Sequence, residues 1–198
     1  MRLVLPAVLS LSVFSPLSAQ ARTLGSAWTL AAEETDAART LRIARAASDR
    51  AYRLGMDLKL LKRSVAEAAD VLAQSKTDPA RRERLEFLLK FILDAYPVQG
   101  EAASYVLDKV LWLKYELGKP SHPELPAVTA ELLARIKAAD ASARALRADV
   151  DGLKTAVDAA AGERARWLME HTADSAARLD VYTAYVVEKA KVLEKPAS

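Results

Sequence analysis

The chain has 198 residues, a formal net charge of +3, 28% charged residues and no cysteine. This length suits one domain with its own core, and the near-neutral charge speaks against nucleic-acid binding, for which a strong basic excess is expected. Without cysteine, disulfides and covalently attached c-type haem are excluded, so stability must come from packing.

The first 21 residues have the three parts of a signal peptide. Met1 and Arg2 form a short basic start, residues 3–14 are an apolar run, and Ala21 ends a small–x–small cleavage motif. The apolar run is shorter than the roughly 20 residues that a membrane-spanning helix needs. We therefore expect cleavage after Ala21 and a periplasmic or secreted mature protein of residues 22–198. The alternatives are a retained membrane anchor and a buried first helix.

The mature chain has the composition of an all-α protein. Ala, Leu, Arg, Glu and Lys dominate, and these residues lose little free energy on entering a helix. No stretch shows the alternation of polar and apolar residues that is typical of strands. We predict one domain, an elongated antiparallel bundle of about four long helices with coiled-coil-like seams and no β-sheet.

A first helix is predicted over about 26–75, and it carries two patterns. One is an apolar seam with steps of four and three residues, typical of a helix that packs along another helix. The other is a basic face within an arc of about 140°, taking 100° per residue. The seam consists of Leu54, Leu58, Leu61, Val65, Ala68 and Leu72, and the basic face of Arg39, Arg42, Arg45, Arg50 and Arg53.

The basic face has two interpretations. It is a candidate surface for an anionic partner, such as an acidic protein, lipid headgroups, lipopolysaccharide phosphates or a cell-wall polymer. The alternative is a solvated face balanced by acidic residues of a neighbouring helix.

A second helix is predicted to begin at Pro79, with Asp78 as its N-cap. Pro97 removes a backbone donor and disfavours continuation, so separate helices are expected over about 79–96 and 101–117. A kinked helix and a hairpin both remain open. Three arginines, Arg81, Arg82 and Arg84, lie near the predicted start, where cations oppose the helix dipole. We expect them to have an anionic partner.

The stretch 86–117 is much more apolar than its surroundings, and its apolar residues cover well over half of a helical wheel. A helix of this kind is buried on several sides. We interpret it as the central element of the bundle, and the alternative is a segment that docks a partner or a membrane. The residues that carry both interpretations are Phe87, Leu88, Phe91, Ile92, Leu107, Leu111 and Trp112.

The C-terminal part follows a proline-rich linker over 119–126, which contains three prolines. Beyond it we predict helices over about 124–160 and 163–195. A single long helix is the alternative, because only isolated glycines interrupt this region.

No residue pattern indicates a catalytic, cofactor or metal site. The chain has two histidines, His122 and His171, and neither has the spacing of a di-iron bundle. Phosphate-binding loops and nucleophile motifs are missing from the sequence. The alternatives are non-covalent haem held by His171 with Met56 or Met169, and a metal held by Glu170, His171 and Asp174 within one turn.

The sequence therefore predicts a non-enzymatic protein that acts through protein–protein interaction, as an envelope scaffold, an adaptor or a holdase-like chaperone. Its partner is expected to be another protein, with self-association as an alternative. A bundle that binds a small ligand, metal or haem in its core is the second hypothesis. A binder of anionic or membrane surfaces through the arginine face is the third.

Overall fold

The computed structural model describes residues 35–74, 78–119, 121–157 and 161–194. These residues form four helices and no strand, so the all-α prediction is confirmed for this part of the chain. The predicted signal peptide and residues 22–34 lie outside the described residues. The elements are α1 (Asp36–Gln74), α2 (Pro79–Glu116), α3 (Leu125–Ala156), α4 (Glu163–Ala190) and a 3-10 turn (Lys191–Glu194).

The four helices form a bundle in which α1 and α4 each pack against α2 and α3. Helices that follow one another in the chain run in opposite directions, so α1 is parallel to its neighbour α3. An ion pair between Lys62 and Asp149 joins these two helices, with 3.3 Å between the nitrogen and the oxygen. The connection from α2 to α3 crosses the diagonal of the bundle, and the predicted proline-rich linker supplies this longer connection.

The core consists of two layers. One contains the second halves of α1 and α3 and the first halves of α2 and α4. The other contains the remaining halves and extends to Leu193 of the 3-10 turn. The α1 seam predicted from the sequence lies in the first layer, and each of its six members is buried. The spacing of the seam therefore identified the inward face of α1 correctly.

Small residues bring α1 and α3 close together. A methyl group built on Gly55 would lie 3.6 Å from the Cα of Ala139, which is an ordinary van der Waals distance. Buried alanines precede Gly55 on α1 at positions 44, 47 and 51. Because these side chains are short, the two helix backbones approach more closely than leucine layers would allow.

Helix α2 differs from the sequence expectation, because it continues through Pro97 from Pro79 to Glu116. Proline inside a helix removes one hydrogen bond and costs about 3 kcal/mol. Tyr96, Gln99 and Ala102 around it are buried, so tertiary packing offsets this local penalty. The separate helices expected over 79–96 and 101–117 are thus one continuous helix.

The helix ends follow local chemistry. Asp78 caps α2 as predicted, since its Oδ1 accepts a hydrogen bond from the backbone N–H of Ala80 at 3.0 Å. Gly162 precedes α4 with a φ of 90°, a backbone conformation that favours glycine. Residues 125–190 therefore form two helices rather than one, and the second begins directly after Gly162.

Among the described residues, none of the helices has both the length and the apolar character that crossing a membrane requires.

Candidate interaction surface

Helix α2 has a buried face and an exposed face on which large apolar residues alternate with charged ones. The exposed face carries Phe87, Phe91, Val98, Tyr105 and Tyr115, whose exposed fractions are 59%, 50%, 53%, 40% and 73%. Trp112 lies on the same line and is half-buried against the core. We call these six residues the aromatic stripe. Large apolar side chains at this exposure, aligned along one helix, make this face a candidate surface for association.

The apolar candidates of the sequence thus separate into two groups. Leu88 and Ile92 are in the core, and Leu107 is partly buried against it. Phe87 and Phe91 face away from the bundle, while Leu111 is 39% exposed. The apolar candidates therefore divide between a core face and an exposed face of the same helix, and docking at the exposed face stays a prediction.

Cations from α2 itself lie over several rings of the aromatic stripe. Arg84 lies 5.4 Å from the ring centroid of Phe87, and Lys109 lies 5.2 Å from that of Tyr105. At exposed positions such contacts contribute about 0.5–1 kcal/mol. They cover the rings only in part, as the exposed fractions show, so the stripe remains accessible.

The accessible apolar surface extends from α2 onto α1. Leu60 of α1 is 53% exposed. Arg84 of α2 pairs with Glu67 of α1 at 2.5 Å between nitrogen and oxygen, so these two residues lie at the same position along the two antiparallel helices. Seven residues further from the pair on each helix, Leu60 of α1 therefore lies at the same position along the bundle as Phe91 of α2. The exposed surface is therefore wider than one helix.

The arginine face of α1 is interrupted by acidic groups from other elements. Arg45 pairs with Glu124 at the start of α3. Arg50 and Arg53 line a shallow groove between α1 and α2, with a volume of about 570 Å³, together with Asp49, Glu101 and Tyr105. Arg39 and Arg42 are exposed. This distribution of charge resembles a solvated helix face more than a uniform anion-binding surface.

Two of the three arginines at the start of α2 have partners within the bundle. Arg81 pairs with Asp78 at 3.2 Å and also donates to Gln74. Arg84 pairs with Glu67, and Arg82 is exposed. For Arg81 and Arg84, the anionic partners expected from the sequence are therefore residues of this chain. These ion pairs offset the unfavourable position of two cations at the helix N-terminus.

The residues considered for haem or metal binding are not brought together. Met169 is buried in the core, whereas His171 is exposed and stacks on Trp167 with 4.0 Å between ring centroids. Met56 is 42% exposed on α1, which lies diagonally across the bundle from α4. Within the described ranges, no group of three or more potential metal-ligating side chains was found.

A polar cluster between α3 and α4 is fully paired. Asp140 is 2% exposed, accepts a hydrogen bond from Thr183 Oγ1 at 3.1 Å and pairs with Arg144. The hydrogen bond to Asp140 raises the pKa of the Arg144 guanidinium. Arg147 donates to Asp180 at 2.9 Å. Because each of these charges has a partner, the cluster fixes the alignment of two helices and presents no free reactive group.

A cleft of about 290 Å³ lies between α2 and α4 beside Pro97 and Gly100. The buried Tyr96 lines it, and its hydroxyl has no hydrogen-bond partner among the described residues. Burial raises the pKa of this hydroxyl, with a smaller contribution from Asp151. The volume lies just below the range typical of small-molecule sites.

Sequence reasoning treated 86–117 as one apolar segment and missed its division into two faces. The signal was present, because residues 84, 87, 91, 94, 98, 101, 105, 108, 112 and 115 form a second line with alternating steps of three and four. The sequence matches no protein-family model, and it has no significant match among curated proteins or solved structures.

Proposed function

We propose that this is an exported, non-enzymatic protein that acts by binding another polypeptide through the aromatic stripe of α2. The observation that carries the proposal is the exposure of 40–73% for five apolar side chains on one face of one helix. Exposed apolar surface is typical of sites where a partner binds when it forms one contiguous patch. An envelope scaffold, an adaptor and a holdase-like chaperone are the roles that fit such a surface.

Binding is tested with the mature protein, residues 22–198, as bait in an extract of its native envelope. A stripe variant combines Phe87→Ser, Phe91→Ser and Tyr105→Ser. The matched control combines Val181→Ser and Tyr185→Ser, which remove exposed apolar side chains from α4. We expect the stripe variant to lose specific partners that the control retains. Equal recovery of the same partners by both variants would refute the proposal.

Export is tested separately, because it rests on the first 21 residues alone. N-terminal sequencing of the protein from its native host should begin at Arg22. Recovery of a cytosolic form that still begins at Met1 would contradict this part of the proposal and leave the binding experiment unaffected.

A further inference from the structure

We propose that the cleft between α2 and α4 beside Pro97 binds a small organic carboxylate, a molecule with one carboxylate group and an apolar body. No residue of the aromatic stripe lines this cleft. The inference therefore goes beyond the proposed function and does not depend on it.

The α2 wall of the cleft contains the two residue types that are least favourable inside a helix. Pro97 and Gly100 lie one turn apart within α2, and both line the cleft. Packing does not require a glycine at position 100, because a Cβ built there would meet no heavy atom of a neighbouring element within 4 Å. The backbone does not require it either, since among the described residues only Gly162 has a positive φ. The missing side chain of Gly100 leaves the cleft open.

The α4 wall presents one face of its helix to the cleft. Its lining residues are Ser175, Arg178, Leu179 and Tyr182, which share a face because they recur at spacings of three and four. Leu179 is buried, and Tyr182 packs against the core. The bundle therefore holds the apolar part of this wall in place, while Arg178 is exposed.

The volume of the cleft limits the size of the ligand. The cleft encloses about 290 Å³, and one molecule of liquid water occupies about 30 Å³. A ligand with on the order of ten non-hydrogen atoms therefore fits. Pro97 and Leu179 provide apolar contacts from opposite walls, so an aromatic ring or a short aliphatic chain suits the interior of the cleft.

Arg178 sets the charge of the ligand. Arg164 on the same helix pairs with Glu86 of α2 at 3.3 Å. None of the ion pairs among the described residues includes Arg178, although Asp174 lies one turn earlier on α4. A guanidinium group can bind a carboxylate through two parallel hydrogen bonds, and Ser175 adds a hydroxyl to the same wall. An unpaired cation beside an apolar cleft favours a carboxylate over a neutral molecule of the same shape.

Binding is tested with benzoate, which has the size and charge described above, and with benzamide, which has nearly the same shape and no charge. The ¹⁵N-labelled protein, residues 22–198, is titrated with each compound, and the amide chemical shifts are recorded by NMR. We expect saturable shifts for benzoate at residues 96–101 and 175–182. The Kd should be on the order of 1 mM, as is typical of so small a ligand, and about tenfold higher for benzamide.

Two variants separate the contributions of shape and charge. Gly100→Leu places a side chain in the cleft and should abolish binding of both compounds. Its matched control is Gly152→Leu, because Gly152 of α3 is equally open and lies outside this cleft; this variant should bind as the wild type does. Arg178→Ala should weaken benzoate binding about tenfold and leave benzamide binding unchanged. Circular dichroism confirms that the variants keep their helix content.

Three results would overturn the inference: no saturable shift with benzoate at concentrations far above the expected Kd, equal affinity of the wild type for benzoate and benzamide, or unchanged binding by Gly100→Leu. If Gly100→Leu loses helix content, Arg178→Ala decides, since it changes an exposed residue, and unchanged benzoate binding by this variant would refute the site. None of these measurements involves the aromatic stripe, so this inference and the proposed function can fail separately.

Discussion

Truncation of one side chain on each face of α2 tests whether the two faces differ as the structure indicates. Leu89 is completely buried in the core, whereas Phe91, two residues later, is 50% exposed. Leu89→Ala leaves a cavity between packed helices and should lower the free energy of unfolding by about 2–5 kcal/mol. For a chain of this size, a loss near 3 kcal/mol corresponds to a decrease in Tm of about 6–12 °C.

Phe91→Ala should have a much smaller effect although it removes more atoms. Full burial of a phenylalanine contributes about 1.5–3 kcal/mol, and half of this area is already in water, so about 1 kcal/mol is lost. The higher helix propensity of alanine returns a few tenths of a kcal/mol. The expected difference between the two variants is therefore about 2 kcal/mol.

The assay is urea unfolding followed by circular dichroism at low protein concentration. Self-association would add stability by mass action, so a low concentration isolates the contribution of the monomer. Equal losses for Leu89→Ala and Phe91→Ala would show that both side chains are buried in the folded monomer. The assignment of Phe91 to an accessible surface would then be wrong.

Three further substitutions test local features of the fold. Tyr96→Phe removes a buried hydroxyl without a partner and should raise stability by about 1 kcal/mol. The folded state raises the pKa of the Tyr96 hydroxyl above 10, so ionisation of this hydroxyl in the unfolded chain should lower the stability of the wild type above pH 10. Tyr96→Phe should lose less stability there. Equal alkaline melting curves for the two proteins would contradict this. Gly55→Ala should stabilise α1 by about 0.5–1 kcal/mol, and its control Gly152→Ala, at an exposed position of α3, should do the same for α3. Destabilisation by Gly55→Ala alone would show that α1 and α3 are closer than described. Gly162→Ala should destabilise by about 1–2 kcal/mol in thermal melts, since its φ of 90° is unfavourable for residues with a Cβ; an unchanged Tm would refute that reason.

The parts of the fold that depend on neighbouring residues in sequence could be predicted well. The apolar seam of α1 follows from its periodicity alone, and all six of its members are buried. The N-cap Asp78 and Pro79 together set the start of α2. These features need no knowledge of the other helices, because helix periodicity and capping are local properties.

The parts that depend on tertiary contacts could not be predicted. The continuation of α2 through Pro97 depends on the burial of Tyr96 and Ala102 between other helices, which the local rule for proline ignores. The pairing of Arg45 with Glu124 joins residues 79 positions apart. The sequence left open that acidic residues of a neighbouring helix balance the arginine face, but it could not identify Glu124 as one of them.

The composition of α2 shows that the helix is rich in apolar residues, but only its geometry shows that some of them are buried and others exposed. A helix that is apolar nearly all round is expected to be buried on all sides. In a bundle of four helices, however, only two neighbouring helices pack closely against each helix. Helices α1 and α4 occupy those two sides of α2, so no helix among the described residues covers the remaining arc, which carries Phe87 and Phe91. The apolar excess of 86–117 is thus larger than one bundle requires. For this reason the proposal of a further partner rests on the excess itself rather than on any single residue.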